Sequence, residues 1–256
     1  MRDLVLSLYD FTGVALKPRV NAGYGGIAFD IQHKGASCDH YPNGGFMVKA
    51  KLDLYSPETM QDIAAAYTSK HSAYAGRVAF VFGFPPCTDL AVSGAAHFAK
   101  KRAKDPAFQD KAAGHCKAIA DLAEKLACPF MIENPVSVLS TLWRKPDHTF
   151  HPYEFGGYIQ DQDAIHPQWP DHIPPRDAYS KKTCLWTGGG FAMPAPLPVN
   201  CESFGASRQH RKLGGKSLKT KNIRSATPRG FAQAVFEANE PAIRFTQAIN
   251  EIQAAE

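Results

Sequence analysis

Membrane-spanning hydrophobic runs and patterned cysteines are both missing from this sequence of 256 residues. The most apolar stretch, Val78–Phe84, is far shorter than the roughly 20 residues of a spanning helix, and two prolines end it. The six cysteines lie far apart, without the spacing of a disulfide framework or a zinc site. Asp10 interrupts the first apolar run before a signal peptide could form. We therefore expect a protein of the reducing cytoplasm, without a membrane partner or a bound metal.

Acidic residues are also absent from one long segment. Between Ser203 and Phe236 there are eight Lys or Arg residues and no Asp or Glu, although the whole chain has a formal net charge of only +5. A local excess of cations is typical of a surface that contacts phosphates. The segment is therefore a candidate for nucleic-acid contact, or alternatively a solvated basic loop.

Short apolar runs alternate with helical patterns, which predicts an α/β fold with a mostly parallel sheet. The composition, 44% hydrophobic and 21% charged, is that of an ordinary globular domain. The clearest helix is predicted at 106–127, a second at 57–69, and helix resumes near Arg229. The predicted strands are residues 4–9, 26–31, 47–53, 77–83, 129–133 and 183–186.

A cysteine follows one of these strands directly. The apolar strand that ends at Gly83 runs into Phe84-Pro85-Pro86-Cys87, which places a thiol at the carboxyl edge of the sheet, where α/β proteins bind ligands. The two prolines restrict the backbone, so the thiol is held as a nucleophile requires. The alternative is that Cys87 is a small buried apolar residue.

A carboxylate follows another strand. Met131-Ile132 leads into Glu133-Asn134-Pro135, so Glu133 is expected at the same edge as Cys87. Such a pair indicates a thiol nucleophile beside an acid. Alternatively, Glu133 is a loop carboxylate or a helix cap.

The first strand ends in an acidic, glycine-bearing turn, Tyr9-Asp10-Phe11-Thr12-Gly13. In doubly wound folds such a turn often contacts a nucleotide-type cofactor, and Asp30 lies where an acid would bind a ribose diol. Asp53 ends the third strand. Tyr9 and Phe11 could instead be core residues.

These motifs, in this order, resemble the cytosine-C5 DNA methyltransferase family, in particular its small bacteriophage and prophage members. Pro85-Pro86-Cys87 and Glu133-Asn134-Pro135 are the specific elements, and the similarity covers nearly the whole chain. Further agreement lies in segments 90–94, 143–147, 151–156, 181–186 and 224–232. The resemblance implies a Rossmann-like S-adenosylmethionine-dependent fold with helices on both faces of the sheet, in a bacterial or phage-infected cytoplasm, with no obligate protein partner evident.

The resemblance also implies a reaction. Cys87 would add to C6 of a cytosine flipped out of duplex DNA, and Glu133 would assist at N3, so that C5 becomes nucleophilic towards the methyl group of S-adenosylmethionine. The implied cofactor residues are Tyr9, Asp10, Phe11, Thr12, Gly13, Asp30, Ile31, Asp53, Leu54, Pro85, Arg224, Ser225 and Ala226. The implied DNA and substrate residues are Pro86, Asn134, Lys182, Thr183, Arg208, Arg211, Lys212, Lys216, Lys219 and Lys221.

The expected organisation is a catalytic domain formed by residues 1–186 and 223–256, with a short basic insertion at 187–222. The insertion is small for a target-recognition domain, and its cations resemble phosphate contacts on a loop. We therefore hypothesise that the protein has low specificity for the DNA sequence around its target.

Two alternatives stay open. The same machinery could transfer a modified group such as carboxymethyl, or act on a nucleotide or RNA; a carboxylated donor would need an extra cation, for which Lys17, Arg19 and Lys182 are candidates. The second alternative is a catalytically silent DNA-binding protein of this fold.

Overall fold

The structure is a computed structural model, and it describes residues 2–201 and 217–240. The chain divides into two compact units. The first comprises Met1–Phe150 and Lys182–Gly190, and the second comprises His151–Lys181 and Phe191–Glu256.

The first unit is built on an eight-stranded sheet in the order β3-β4-β2-β1-β5-β6-β8-β7. The pairs within β4-β2-β1-β5-β6 are parallel, whereas β3, β8 and β7 pair antiparallel with their neighbours. The sheet is therefore mostly parallel, compatible with the predicted Rossmann-like fold. The strands are Leu4–Leu8 (β1), Gly25–Phe29 (β2), Ala36–His40 (β3), Phe46–Ala50 (β4), Val78–Gly83 (β5), Phe130–Pro135 (β6), His148–Phe150 (β7) and Thr183–Gly188 (β8).

Seven α-helices lie in the described parts of the chain: Lys17–Asn21 (α1), Pro57–Thr68 (α2), Phe98–Lys104 (α3), Phe108–Lys125 (α4), Leu139–Leu142 (α5), Leu218–Ser225 (α6) and Arg229–Asn239 (α7). The first five belong to the first unit, and α6 and α7 belong to the second.

Helices cover both faces of the sheet. Gly26 of β2 lies against Val20 of α1, and Gly83 of β5 lies against Ile119 of α4. Val5 pairs with Gly26 and Leu8 pairs with Gly83. Because these β1 residues are three apart, their side chains point to opposite faces, so α1 and α4 lie on opposite sides. The apolar face of α4, which its spacing predicted, is buried against β5 and β6.

All six predicted strands are present, each with boundaries within three residues of the prediction. Two strands were missed. In β3 every residue is exposed, so the apolar alternation that marks a half-buried strand is absent. The other, β7, has only three residues and exists as a strand because it pairs with β8.

The loop predicted for the basic segment is wrong where the structure describes it. Lys219 and Lys221 lie in α6, which begins after Ser217. The Ser217 side chain accepts the backbone N–H of Thr220 at 3.2 Å, and Thr220 and Ile223 are buried. An N-cap and one buried face therefore stabilise a helix here. Arg208, Arg211, Lys212 and Lys216 lie outside the described residues.

Strand order defines where a ligand would enter the first unit. From β1 the chain continues through β2 and β4 on one side, then crosses back to β5 and β6 on the other. In open α/β sheets ligands bind outside the carboxyl ends of the strands, at the point where the order reverses. That point lies between β1 and β5.

Candidate active site at the carboxyl edge of the sheet

Cys87 lies four residues beyond the end of β5. The N–H of Phe84 still pairs with the carbonyl of Leu8 at 3.0 Å, and the backbone then turns through Pro85 and Pro86. The carbonyl of Cys87 accepts the N–H groups of Leu90 and Ala91, at 3.0 and 2.8 Å. The Cys87 residue is only partly buried. It is therefore at the predicted edge and is not a buried core residue.

Glu133 lies inside β6, which continues to Pro135, rather than at the end of the strand as predicted. The strand is longer because β8 pairs with it, with Leu185 opposite Glu133. Gly83 is in register with Ile132, so Glu133 is level with the first residue after β5. Its side chain is buried, which excludes the alternative of a loop carboxylate.

The segments that follow β5 and β6 are hydrogen-bonded to each other. The Asn134 side chain donates to the carbonyl of Pro85 at 3.2 Å. Further along, the N–H of Val92 donates to Val136 and the N–H of Val138 donates to Leu90, at 3.1 and 3.0 Å. The thiol and carboxylate motifs are therefore parts of one hydrogen-bonded structure.

The start of β8 brings Lys182 and Thr183 to the same edge, because Thr183 pairs with Pro135 at the end of β6. Thr183 is buried and Lys182 is exposed. Burial raises the pKa of the neighbouring Cys184 thiol, with Lys182 opposing this shift and Glu133 adding to it. A second thiol near Glu133 is thus kept protonated.

The turn after β1 is organised by the buried carboxylate of Asp10. One carboxylate oxygen accepts the backbone N–H groups of Thr12 and Gly13 and the Thr12 hydroxyl, and the other accepts the Ser7 hydroxyl at 2.7 Å. The described bonds of the Asp10 carboxylate are therefore all made within residues 7–13. Phe11, by contrast, is 37% exposed and stacks on His33, so it is not a core residue.

The ends of β2 and β4 carry the other predicted cofactor residues. Asp30 directly follows β2 and is buried, which raises the pKa of its carboxyl group, while the backbone N–H of Gln32 opposes the shift at 2.7 Å. Ile31 beside it is exposed. Asp53 is exposed and Leu54 is buried.

Sequence reasoning missed an aromatic cluster formed by Tyr9, Tyr55 and His115. The Tyr9 hydroxyl donates to the carbonyl of Leu54 at 2.7 Å and lies 3.1 Å from Nδ1 of His115. Because a carbonyl can only accept, the Tyr9 oxygen is left to accept a hydrogen from Nδ1. The rings of Tyr55 and His115 meet edge to face at 4.9 Å. His115 comes from α4, so only the fold places it beside this edge.

Exposed apolar side chains mark the same edge. Five of the nine large hydrophobic residues exposed within the described ranges follow the parallel strands β1, β2, β4, β5 and β6. They are Phe11, Ile31, Tyr55, Val92 and Val136. Apolar side chains concentrated beside a few polar groups are typical of a small-molecule site. No sequence pattern identified this property, although each of these residues lies in the segment that follows a parallel strand.

The remaining predicted residues lie in the second unit. Arg224 and Ser225 end α6, and Ala226 follows it and is buried. The carbonyl of Arg224 accepts a hydrogen bond from Nζ of Lys181 at 3.0 Å. Their contact with a cofactor stays a prediction, as does the assignment of 187–222 as an insertion.

Arg19 is wrong as a candidate cation for a modified donor. Its side chain is buried, with the guanidinium carbon 4.4 Å from the ring centre of Phe80 and 5.1 Å from that of Phe82. The Arg19 side chain therefore packs against one face of the sheet, on residues of β5, and not at the carboxyl edge.

Within residues 2–201 and 217–240, no group of three or more His, Cys, Asp or Glu side chains is placed to hold a metal ion. In the same two ranges, no helix is both long and apolar enough to cross a bilayer. No protein-family model matches the sequence, and no curated protein matches it.

Proposed function

We propose that this chain is an S-adenosylmethionine-dependent DNA (cytosine-5)-methyltransferase. The observation that carries the proposal is the register of β5 with β6. It brings the Pro85-Pro86-Cys87 turn and Glu133-Asn134 to one edge of the sheet, beside the turn after β1. A restricted thiol next to a buried carboxyl group is suited to addition to an electron-poor ring.

The residues of this edge are compatible with S-adenosylmethionine. Gly13 permits a tight turn after β1, Asp30 is placed after β2 to accept a ribose hydroxyl, and Phe11, Ile31 and Tyr55 offer apolar surface to an adenine ring. The bound cofactor would supply an electrophilic methyl group.

In the proposed reaction, the Cys87 thiolate forms a bond to C6 of cytosine, and the electron pair of the C5–C6 double bond shifts to C5 and is delocalised through C4 to N3. Glu133 donates a proton or a hydrogen bond to N3, where negative charge develops. C5 would then form a bond to the methyl carbon that the cofactor supplies, and the bond from that carbon to sulfur would break, with S-adenosylhomocysteine as the leaving group. Loss of the C5 proton to a base and departure of the Cys87 thiolate restore the aromatic ring.

The proposed contact with DNA rests on the positive charge of Lys and Arg residues in two parts of the chain. The eight cations between Ser203 and Phe236 form a segment without acids, as expected for contact with the DNA backbone. Lys182 is exposed beside the start of β8, at the edge that carries Glu133.

A labelling experiment tests this function. The protein is incubated with duplex DNA and methyl-labelled S-adenosylmethionine, and the digested nucleosides are analysed by mass spectrometry. We expect 5-methylcytosine, its loss in Cys87→Ala, and its retention in Cys38→Ala, which changes an exposed cysteine outside the proposed site. Glu133→Gln should greatly slow transfer.

The other outcomes separate the alternatives. If the product forms on RNA or free nucleotide but not on DNA, the proposed substrate is wrong. If a modified donor gives a heavier cytosine adduct, the proposed methyl group is replaced by that larger group. Tight DNA binding without any transfer, and without a covalent adduct on DNA containing 5-fluorocytosine, would overturn the enzyme proposal in favour of a silent binding protein.

A further inference from the structure

Asn134 makes a side-chain bond between the two segments that carry Cys87 and Glu133. Its Nδ2 lies 3.2 Å from the carbonyl oxygen of Pro85. Because Pro85 contributes only an acceptor here, the amide must face it with its nitrogen, which determines the orientation of the side chain. Pro85 lies two residues before Cys87, and Asn134 directly follows Glu133.

The other end of the same amide is left without a partner. Asn134 is 1% exposed, and its Oδ1 has no hydrogen-bond partner among the described residues. A buried acceptor without a donor costs folding free energy, whereas an apolar side chain of similar size would avoid this cost. Asparagine at this position therefore reduces stability while it provides the bond to Pro85.

The Asn134 side chain connects the two segments at a level where no described backbone hydrogen bond joins them. Beyond Gly83, β5 is no longer paired with β6, and the next backbone bonds between the two segments occur only after Cys87, at Leu90 and Val92. Pro85 and Pro86 have no N–H group to donate. Between these points, the Asn134 amide donates a hydrogen bond that connects the thiol turn to the strand carrying the acid.

We propose that Asn134 is a positioning residue, which holds the Cys87 turn at a set distance from Glu133 through the Pro85 carbonyl. This inference refines the proposed function and rests on it for its catalytic consequence. Its geometric consequence is independent of that function, because the accessibility of Cys87 would change whatever reaction the site performs.

Asn134→Leu tests this role, since leucine keeps the approximate volume, removes the bond to Pro85 and also removes the acceptor that lacks a partner. Asn239→Leu is the control for loss of a bonded amide outside the first unit. The Asn239 side chain donates to the carbonyls of Ala192 and Val235 and accepts the N–H of Ala192, all in the second unit. In both variants, the rate of alkylation of Cys87 by iodoacetamide is measured by peptide mass spectrometry, with the exposed Cys38 as internal standard.

We expect the ratio of Cys87 to Cys38 alkylation to rise about fivefold in Asn134→Leu, because a released turn exposes the thiol. The same ratio should stay unchanged in Asn239→Leu. The melting midpoint of Asn134→Leu should remain within about 4 °C of the parent, since the lost bond is offset by removal of the buried acceptor. In the methylation assay, kcat should fall about a hundredfold with little change in KM for DNA.

An unchanged alkylation ratio in folded Asn134→Leu would overturn the positioning role. So would equal losses of stability and kcat in Asn134→Leu and Asn239→Leu, which would indicate a merely structural amide. If Asn134→Leu does not fold, Asn134→Ala provides the second variant: without the amide the ratio of Cys87 to Cys38 alkylation should again rise, and an unchanged ratio in the folded variant would overturn the proposal. Absence of methylation in the parent protein would contradict the proposed function but leave the alkylation result to decide the role of Asn134.

Discussion

The carboxylate of Asp10 accepts the backbone N–H of Gly13 at 2.7 Å, so the turn after β1 is closed by its own acidic residue. Gly13 adopts a left-handed backbone, with φ at 68°. A Cβ atom there would also lie 2.7 Å from the sulfur of Met47. The conformation therefore favours glycine, and a Cβ atom would also force the Met47 side chain to shift.

Gly13→Ala should destabilise the protein by about 2 kcal/mol, because left-handed strain adds to a steric clash. The free energy of unfolding is measured by urea denaturation. Gly44→Ala is the control, since Gly44 has φ at 85° but open space around it, and it should cost only about 1 kcal/mol. Equal losses in the two variants would contradict a role for the Met47 contact.

Phe11→Ala should weaken binding of S-adenosylhomocysteine about fivefold without loss of stability, because Phe11 is an exposed ring at the proposed cofactor edge. Isothermal titration calorimetry gives the dissociation constant. Tyr74→Ala removes a 51% exposed ring that precedes β5, at the opposite edge of the sheet, and should leave binding unchanged. The assignment of Phe11 is wrong if both variants bind like the parent.

His115 should make stability depend on pH. Burial lowers its pKa below the usual 6.5, while the Asp53 carboxylate opposes the shift, and Tyr9 and Tyr55 are its other described neighbours. Between the lowered pKa and 6.5 the unfolded state binds more protons than the folded state. The stabilisation is therefore complete above pH 6.5 and is lost as the pH falls through that window.

The measurement is the slope of unfolding free energy against pH just below 6.5. His115→Gln should reduce this slope, and His71→Gln, at an exposed position, provides the comparison. An unchanged slope in His115→Gln would mean that other groups cause the dependence.

Asp177→Asn should destabilise the second unit by about 3 kcal/mol, because it leaves the Arg229 guanidinium without its charged partner. Asp177 is 2% exposed and accepts the Arg229 side chain at 2.9 Å as well as its backbone N–H. Asparagine tolerates the left-handed backbone of this position, φ 51°, so the variant removes the charge and one of the two acceptor oxygens without adding backbone strain.

Unfolding of Asp177→Asn is followed by near-ultraviolet circular dichroism in urea. Asp161→Asn removes an ion-pair partner whose side chain is 95% exposed, and it should change stability little. If the two variants are equally stable, the Asp177 pair does not stabilise this unit.

Local sequence predicted the elements whose own residues specify them. The buried strands β1, β5 and β6 are continuous apolar runs, and α4 has a helical apolar face, so each was found within a few residues. The exposed β3 and the short β7 were not predictable in this way, because their strand geometry comes from pairing with β4 and β8.

The same distinction between local sequence and tertiary pairing applies to the candidate site. By itself, the sequence determined that a thiol and a glycine turn would each follow a strand and that an acid would lie near the end of another, because apolar runs and prolines are local signals. The tertiary structure alone decided which of them are neighbours, through the parallel register of β5 with β6 and the Asn134 bond to Pro85. It also brought His115 from α4 to Tyr9, and buried Arg19 against Phe80 and Phe82. These pairings join residues far apart in the chain, and only packing of the complete sheet and its helices determines them.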